Sequence, residues 1–283
     1  MQFDIITTSK QEDVSKVLDA LTDSKMTITG HINPDKIEQL ILSSFWPRAV
    51  HESMIVKSQD AISQRAKSII KLFVGDISNK KFLDFGCGTG ECTAFAKEQN
   101  AKLVIGYDPL IEKKGILNNF DDVKSHGEFD VILMFDVFDH IPEDKLEDSL
   151  KKIHSICHND TIVKVRCHPW TSIHGGHLYE KLNKAFAHLF LTDEQIKKYQ
   201  SQFVRKITRP SKVYNEAWDK YGFKVIDSEV HHSMEWDRNN KFFQDEEVSS
   251  FLESKSPQKL ESKAEWQKHV LSIEFMDYTL KKN

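Results

Sequence analysis

The spacing of apolar positions changes twice along this chain. Over residues 58–74, SQDAISQRAKSIIKLFV, the residues Ile62, Ala66, Ile69, Ile70 and Phe73 recur at helical intervals, which predicts an amphipathic helix with one buried face. The pattern then shortens into near-continuous apolar runs: KFLDF, AKLVIGYD, FDVILMFDV and TIVKVRC. Between them, ECTAFAKEQN and PEDKLEDSLKKIHSIC read as helices, the second with Pro142 in its first turn and acids leading. Apolar runs alternating with helices predict parallel strands covered on both faces. Two later segments, YGFKVIDSEV and HVLSIEFMDYTL, read as further strands, and partial alternation in the second suits an antiparallel one. Residues 1–50 are polar and helical in pattern, and NPDKIEQLILSSF within them reads as a capped helix.

Composition narrows the class. A chain of 283 residues makes one large domain or two small ones. Its 39 basic and 43 acidic side chains leave a formal charge of −4, with no basic block and only six arginines, which argues against a dedicated nucleic-acid module. The cysteines Cys87, Cys92, Cys157 and Cys167 form no C-x-x-C pair, so neither a zinc knuckle nor a redox pair is indicated. The opening MQFDIITTSKQEDV lacks the pattern of a signal peptide. No apolar run reaches the ~18 residues needed to span a bilayer. A cytoplasmic protein without a membrane partner is expected. The sequence does not give its oligomeric state.

The most informative stretch is FLDFGCGTGE, residues 82–91. Gly86, Gly88 and Gly90 alternate directly after an apolar run, as where backbone must turn tightly or lie against a ligand. Position 91 is Glu, so the G-x-G-x-x-G dinucleotide fingerprint fails, and the G-K-[ST] of a phosphate loop is absent. Asp84 leads the loop, and a carboxylate there suits a cationic ligand better than a phosphate. Asp108 ends the next apolar run, where an acid can hydrogen-bond two ribose hydroxyls or simply cap a helix. Asp136 follows the third run and either faces a ligand or caps the turn, and His140 beyond it reads as structural.

LDFGCGTG, LVIGYDP and FDVILMFDVFDHIPED together resemble the class I S-adenosylmethionine-dependent methyltransferases. The resemblance covers residues 58–166 and, more loosely, 223–230 and 268–280. It implies an α/β, Rossmann-like fold: a mostly parallel seven-stranded sheet with the last strand antiparallel and helices on both faces. It implies an enzyme that transfers the methyl group of S-adenosyl-L-methionine, with Asp84, Gly86, Cys87, Gly88, Gly90, Asp108 and Asp136 as cofactor-binding residues. A second reading is a non-catalytic binding or structural protein that keeps the fold. The link between Asp108 and Phe129 is short, with room for one helix, LIEKKGILNNF, and a stub of a third strand around Val123. The family's adenine-binding acid then falls to Asp121 or Asp122.

The expected organisation is an N-terminal helical extension over 1–57 and a methyltransferase domain over 58–283 with insertions at 167–212 and 231–267. In the first insertion, HLYEKLNKAFAHLFLTDEQI reads as a helix with Leu178, Leu182, Ala185, Phe186 and Leu189 near one face, either packed on the sheet or acting as an acceptor lid hinged at Gly175-Gly176. It begins with VRCHPWTSIHGGHLY, which leaves the carboxyl end of a strand, the side on which open α/β sheets bind ligands. His168, His174 and His177 are the candidate catalytic residues. They compose a metal site, a plain loop, or an acceptor site with one histidine as base and Trp170 and Tyr179 as walls. The last is preferred, because imidazole titrates near neutral pH and methyl transfer requires no metal, so none is expected. The acceptor is not legible. The absence of N-P-P-[YFW], D-P-P-Y and a Pro-Cys nucleophile disfavours a DNA base and leaves a small molecule, a sugar or a protein side chain.

Overall fold

A computed structural model of the protein describes residues 34–42, 48–50, 55, 58–169, 172–173, 175–200, 211–232 and 273–283. The chain divides into two compact units, one formed by Val56–Cys167, Ser211–Val230 and Met276–Asn283, the other by Met1–Ile55, His168–Pro210 and His231–Phe275. Among the described residues no helix is long and apolar enough to cross a membrane.

The capped helix near the start is α1, Pro34–Leu42. The amphipathic segment that follows forms in two parts. Helix α2 runs Gln59–Ser68, with the Ser58 hydroxyl accepting the Ala61 N–H at 3.2 Å. The winding then widens into a π-helix over Ile69–Val74, whose last bond runs from the Gly75 N–H to the Ile70 carbonyl. The wider turn keeps adjacent Ile69 and Ile70 both buried, against Phe82, Val131 and Leu133 of the sheet. Gly75, at φ 91°, ends it.

The strands are β1 (Lys81–Phe85), β2 (Leu103–Tyr107), β3 (Phe129–Phe135), β4 (Cys157–Cys167), β5 (Phe223–His232) and β6 (Ile273–Lys282). They form one sheet in the order β2-β1-β3-β4-β6-β5. Neighbours from β2 through β4 run parallel, and β6 pairs antiparallel with β4 from Ile162↔Lys281 to Cys167↔Met276. The mostly parallel sheet with a reversed last strand is the Rossmann-like arrangement the sequence implies. Helices α3 (Glu91–Lys97), α4 (Phe120–Ser125), α5 (Glu143–Ser155), α6 (Ala187–Phe190), α7 (Asp193–Tyr199) and α8 (Ser211–Lys220) complete the described elements. Phe82, Leu83, Ile132, Leu133 and Val165 are fully buried, so the central strands meet side chains on both faces. Behind α8, Phe138, Tyr214, Trp218 and Tyr278 form a ring-on-ring cluster with centroids 4.3–6.5 Å apart. Because β1 lies between β2 and β3, the crossovers diverge on either side of it, and a crevice opens at the carboxyl ends of these strands.

Four expectations are corrected. The described sheet has six strands, not seven. The expected third-strand stub at Val123 is helix α4, and the strand it stood for shrinks to a single parallel bridge, Tyr107↔Leu117. The cause is local: the Asn119 side chain caps α4 through the Asp121 N–H, and Phe120 and Val123 bury one helical face. LIEKKGILNNF forms no helix; Gly115 turns it at φ 88°. Nor is HLYEKLNKAFAHLFLTDEQI one helix. Phe186 adopts φ 56°, and a capping box from Thr192 to Gln195 starts α7 afresh. The apolar stripe is buried all the same, with Leu178, Leu182, Ala185, Phe186 and Leu189 each at most 4% exposed. Gly176 is a packing glycine: a Cβ there would lie 2.3 Å from the His188 Cβ.

Candidate functional site

The glycine loop leaves β1 at its carboxyl end and is tied to β2, since the Gly86 and Cys87 N–H groups both donate to the Tyr107 carbonyl (2.7 and 3.0 Å). Gly86 (φ 75°) is pressed against the segment after β3, where a Cβ would fall 2.5 Å from both Val137 methyls. Gly90 (φ 89°) precedes α3 and faces Ile116. Gly88 differs: at φ 54°, a Cβ added to it would meet nothing within 4 Å. Its N–H donates to Asp108 Oδ2 at 2.9 Å, while the Leu110 N–H donates to Asp108 Oδ1 at 2.9 Å. Each oxygen keeps a second lone pair, so this carboxylate can still receive two hydroxyl donors beside the open face of Gly88. A vicinal diol meets that description. Asp84, Glu91 and Asp108 make the loop's surroundings electronegative. Such a setting favours a cation and repels a phosphate, so the residues present fit the ribose and sulfonium of S-adenosylmethionine.

Asp84 is only 4% exposed, and its carboxylate accepts the Thr93 hydroxyl at 2.7 Å, joining β1 to α3. Burial pushes its carboxyl up to about 6, partly offset by the Thr93 hydrogen bonds. An unfolded chain therefore releases this proton more readily than the folded one. Stability falls as pH rises from about 4 to about 6 and stays lower above, by an amount on the order of 3 kcal/mol. Asp84→Asn keeps an oxygen for Thr93 and loses the charge. Its stability relative to the parent is expected to improve by roughly that amount between pH 4 and pH 8, measured by urea denaturation at both values. A pH-independent difference contradicts this. Burial also pushes the Cys87 and Cys92 thiols up to about 12, so neither supplies a thiolate at neutral pH.

Asp136, one residue beyond β3, is held in the left-handed region at φ 57° by its N–H bond to the Arg166 carbonyl (2.9 Å). Its Oδ2 accepts from Arg65 Nη2 of α2 at 2.8 Å. Arg166 in turn makes two bonds to Asp277 (2.6 and 2.5 Å) and lies over the Phe135 ring, which Arg65 also covers. No local spacing singles out Arg65, Thr93 or Arg166 for these roles. Their partners are far apart in sequence, and each residue by itself reads as ordinary helix or strand surface.

The candidate adenine acids Asp121 and Asp122 are exposed in the first turn of α4, where negative charge suits the helix terminus. His168, directly after β4, is 8% exposed, with Nδ1 2.8 Å from the Glu274 carbonyl. A carbonyl only accepts, so Nδ1 carries the hydrogen and Nε2 is the basic nitrogen of the neutral ring. His177 sits at φ 53° with its ring edge-on to Tyr179 at 5.0 Å. His174 and Trp170 lie outside the described residues. Among the described residues no group of three or more His, Cys, Asp or Glu is arranged to hold a metal ion.

Residues 59–228 match the model of a protein family described as a methyltransferase domain. Protein arginine N-methyltransferase 1 of Dictyostelium discoideum is 33% identical over 108 residues, a stretch covering 35% of this chain and 30% of that protein. The match thus spans less than a third of that relative's length. Among solved structures, a SAM dependent methyltransferase from Archaeoglobus fulgidus is similar with a TM-score of 0.49 and 13% identity, covering 82% of this chain and 97% of that one. A cyclopropane synthase from Mycobacterium tuberculosis is similar with a TM-score of 0.45 and 16% identity, covering 84% and 89%.

Proposed function

The chain belongs to the methyltransferase-domain family, and from that premise we propose that it is an S-adenosylmethionine-dependent methyltransferase whose own residues serve the reaction as follows. The glycine loop (Gly86, Cys87, Gly88, Gly90) and Asp108 hold the donor. Asp84 holds the loop to α3 through Thr93, and Asp136 serves the donor's amino-acid end. The carrying observation is the open face of Gly88 beside an Asp108 carboxylate with two lone pairs to spare. When bound, the cofactor supplies a methyl group already activated by positive sulfur. The chain's work is alignment and, for an acceptor that must lose a proton, a base.

His168 is the proposed base. Its bond from Nδ1 to the Glu274 carbonyl anchors the ring directly after the carboxyl end of β4. His174 and His177 are secondary candidates on the same segment, and residues 167–212 are the proposed acceptor lid. The acceptor class proposed is a small molecule, a sugar or a protein side chain, since the chain is net acidic with no basic block. A cytoplasmic location fits the same composition.

Labelled S-adenosylmethionine incubated with pools of small molecules, sugars and peptides tests this reading, with transfer to one pool expected. On the acceptor so found, His168→Gln is expected to lower kcat about 10²- to 10⁴-fold with S-adenosylhomocysteine affinity unchanged. Chelators are expected to have no effect. An undiminished kcat in the variant removes His168 from the chemistry.

A further inference from the structure

We infer that Phe275, backed by His231, is a positioning residue that holds the His168 ring in the orientation a base requires, an inference that rests on the proposed reading of His168. Strands β4 and β6 pair antiparallel, and their last register pair is Cys167↔Met276. One step further along the same register sets His168 across from Phe275, so the two side chains share a face. Their ring centroids lie 5.7 Å apart, with the planes tilted by 59°. Phe275 is in turn stacked on His231 of β5, with centroids 4.2 Å apart and planes 25° from parallel.

The residue before Phe275 supplies the other restraint. The Glu274 carbonyl accepts from His168 Nδ1 at 2.8 Å. A single hydrogen bond fixes one nitrogen, but the second side-chain torsion of histidine is broad, so the ring can still tilt about that bond. Proton transfer needs the two heavy atoms within about 2.6–3.2 Å, and a displacement of about 1 Å costs up to about 10²-fold in rate. A second ring lying against the imidazole removes the tilt. Glu274 and Phe275 thus form one clamp at the start of β6, the first through its backbone and the second through its side chain. His168 is buried, whereas Phe275 and His231 are half-buried, so replacing either of the latter spares the core. A cross-strand ring pair also stabilises a sheet by itself, so a lowered Tm alone does not identify the role.

The test is a double-mutant cycle on the acceptor found by the labelled-donor assay, with His168→Gln, Phe275→Leu and both together in the full chain. Phe275→Leu is expected to lower kcat about tenfold, with S-adenosylhomocysteine affinity and acceptor KM within about twofold of the parent's. The double variant is expected to be no slower than His168→Gln alone, because Phe275 acts only through His168. His231→Ala, which leaves Phe275 in place, repeats the cycle with a smaller loss. Phe275→Tyr and His231→Phe, which keep the stacked rings, are expected to recover most of the kcat lost in Phe275→Leu and His231→Ala. Nitrogen-resolved NMR of the imidazoles reads the same clamp without an acceptor. The His168 Nδ1–H resonance is expected to be distinct in the parent and in Phe275→Tyr, and averaged out in Phe275→Leu. A parent-like kcat in Phe275→Leu, losses that multiply in the double variant, or an unchanged Nδ1–H resonance overturns the clamp and leaves His168 as the base. An undiminished kcat in His168→Gln overturns both.

Discussion

Asp108→Ala is expected to weaken binding of S-adenosylhomocysteine by about 1.5–3 kcal/mol, a loss of roughly 10- to 150-fold. The carboxylate already accepts the Gly88 and Leu110 N–H groups, so its orientation is set before any ligand arrives. A preset acceptor spends no rotamer entropy on two incoming hydroxyls, which places the effect at the strong end for hydrogen bonds to a charged group. The substitution also strands the Gly88 N–H, so a modest drop in Tm is expected alongside. Asp108→Asn separates the two effects, since its oxygen can still accept one N–H while the charge is gone. Calorimetry on both variants checks this. An affinity within twofold of the parent's in Asp108→Ala would place the ribose acid elsewhere.

The second large effect concerns the loop itself. Gly88→Val is expected to remove measurable binding while the protein stays folded. The new side chain has no protein atom within 4 Å of its Cβ, so it enters the space in which a ligand would lie. Its stability cost is the left-handed backbone alone, about 1–2 kcal/mol, or a few degrees of Tm. Gly86→Val is the contrast. It carries the same backbone penalty and in addition drives its Cβ to 2.5 Å from Val137, so it should lower Tm further as well as binding. Two glycines of one loop are thus expected to differ, Gly86 being required by its packing against Val137 and Gly88 by the proposed ligand. Thermal melts and ligand titrations on both variants check the pair, and a Gly88→Val protein that binds like the parent contradicts the assignment.

What could be read from sequence was what is local. The alternation of apolar runs with helices gave the sheet, and the wording LDFGCGTG gave a loop at the end of its first strand. An acid after LVIGY placed Asp108 against that loop because β1 and β2 are register neighbours. Features depending on one competing local bond were misread. Asn119 capping α4 turned an expected strand stub into a helix, and Phe186 and Thr192 broke an expected helix whose burial pattern was nonetheless correct. The π-helical turn was hidden because a buried Ile69-Ile70 pair fits either helical winding. Arg65 and Asp136 are 71 residues apart and are brought together by the packing of α2 at the end of β3, which no local spacing encodes.

Titration calorimetry of the purified full chain with S-adenosylhomocysteine, paired with a thermal melt of the same sample, tests the central claim most directly. The account predicts one site with a dissociation constant in roughly the micromolar range and a Tm raised by saturating ligand. No heat and no change in Tm at millimolar ligand would contradict it.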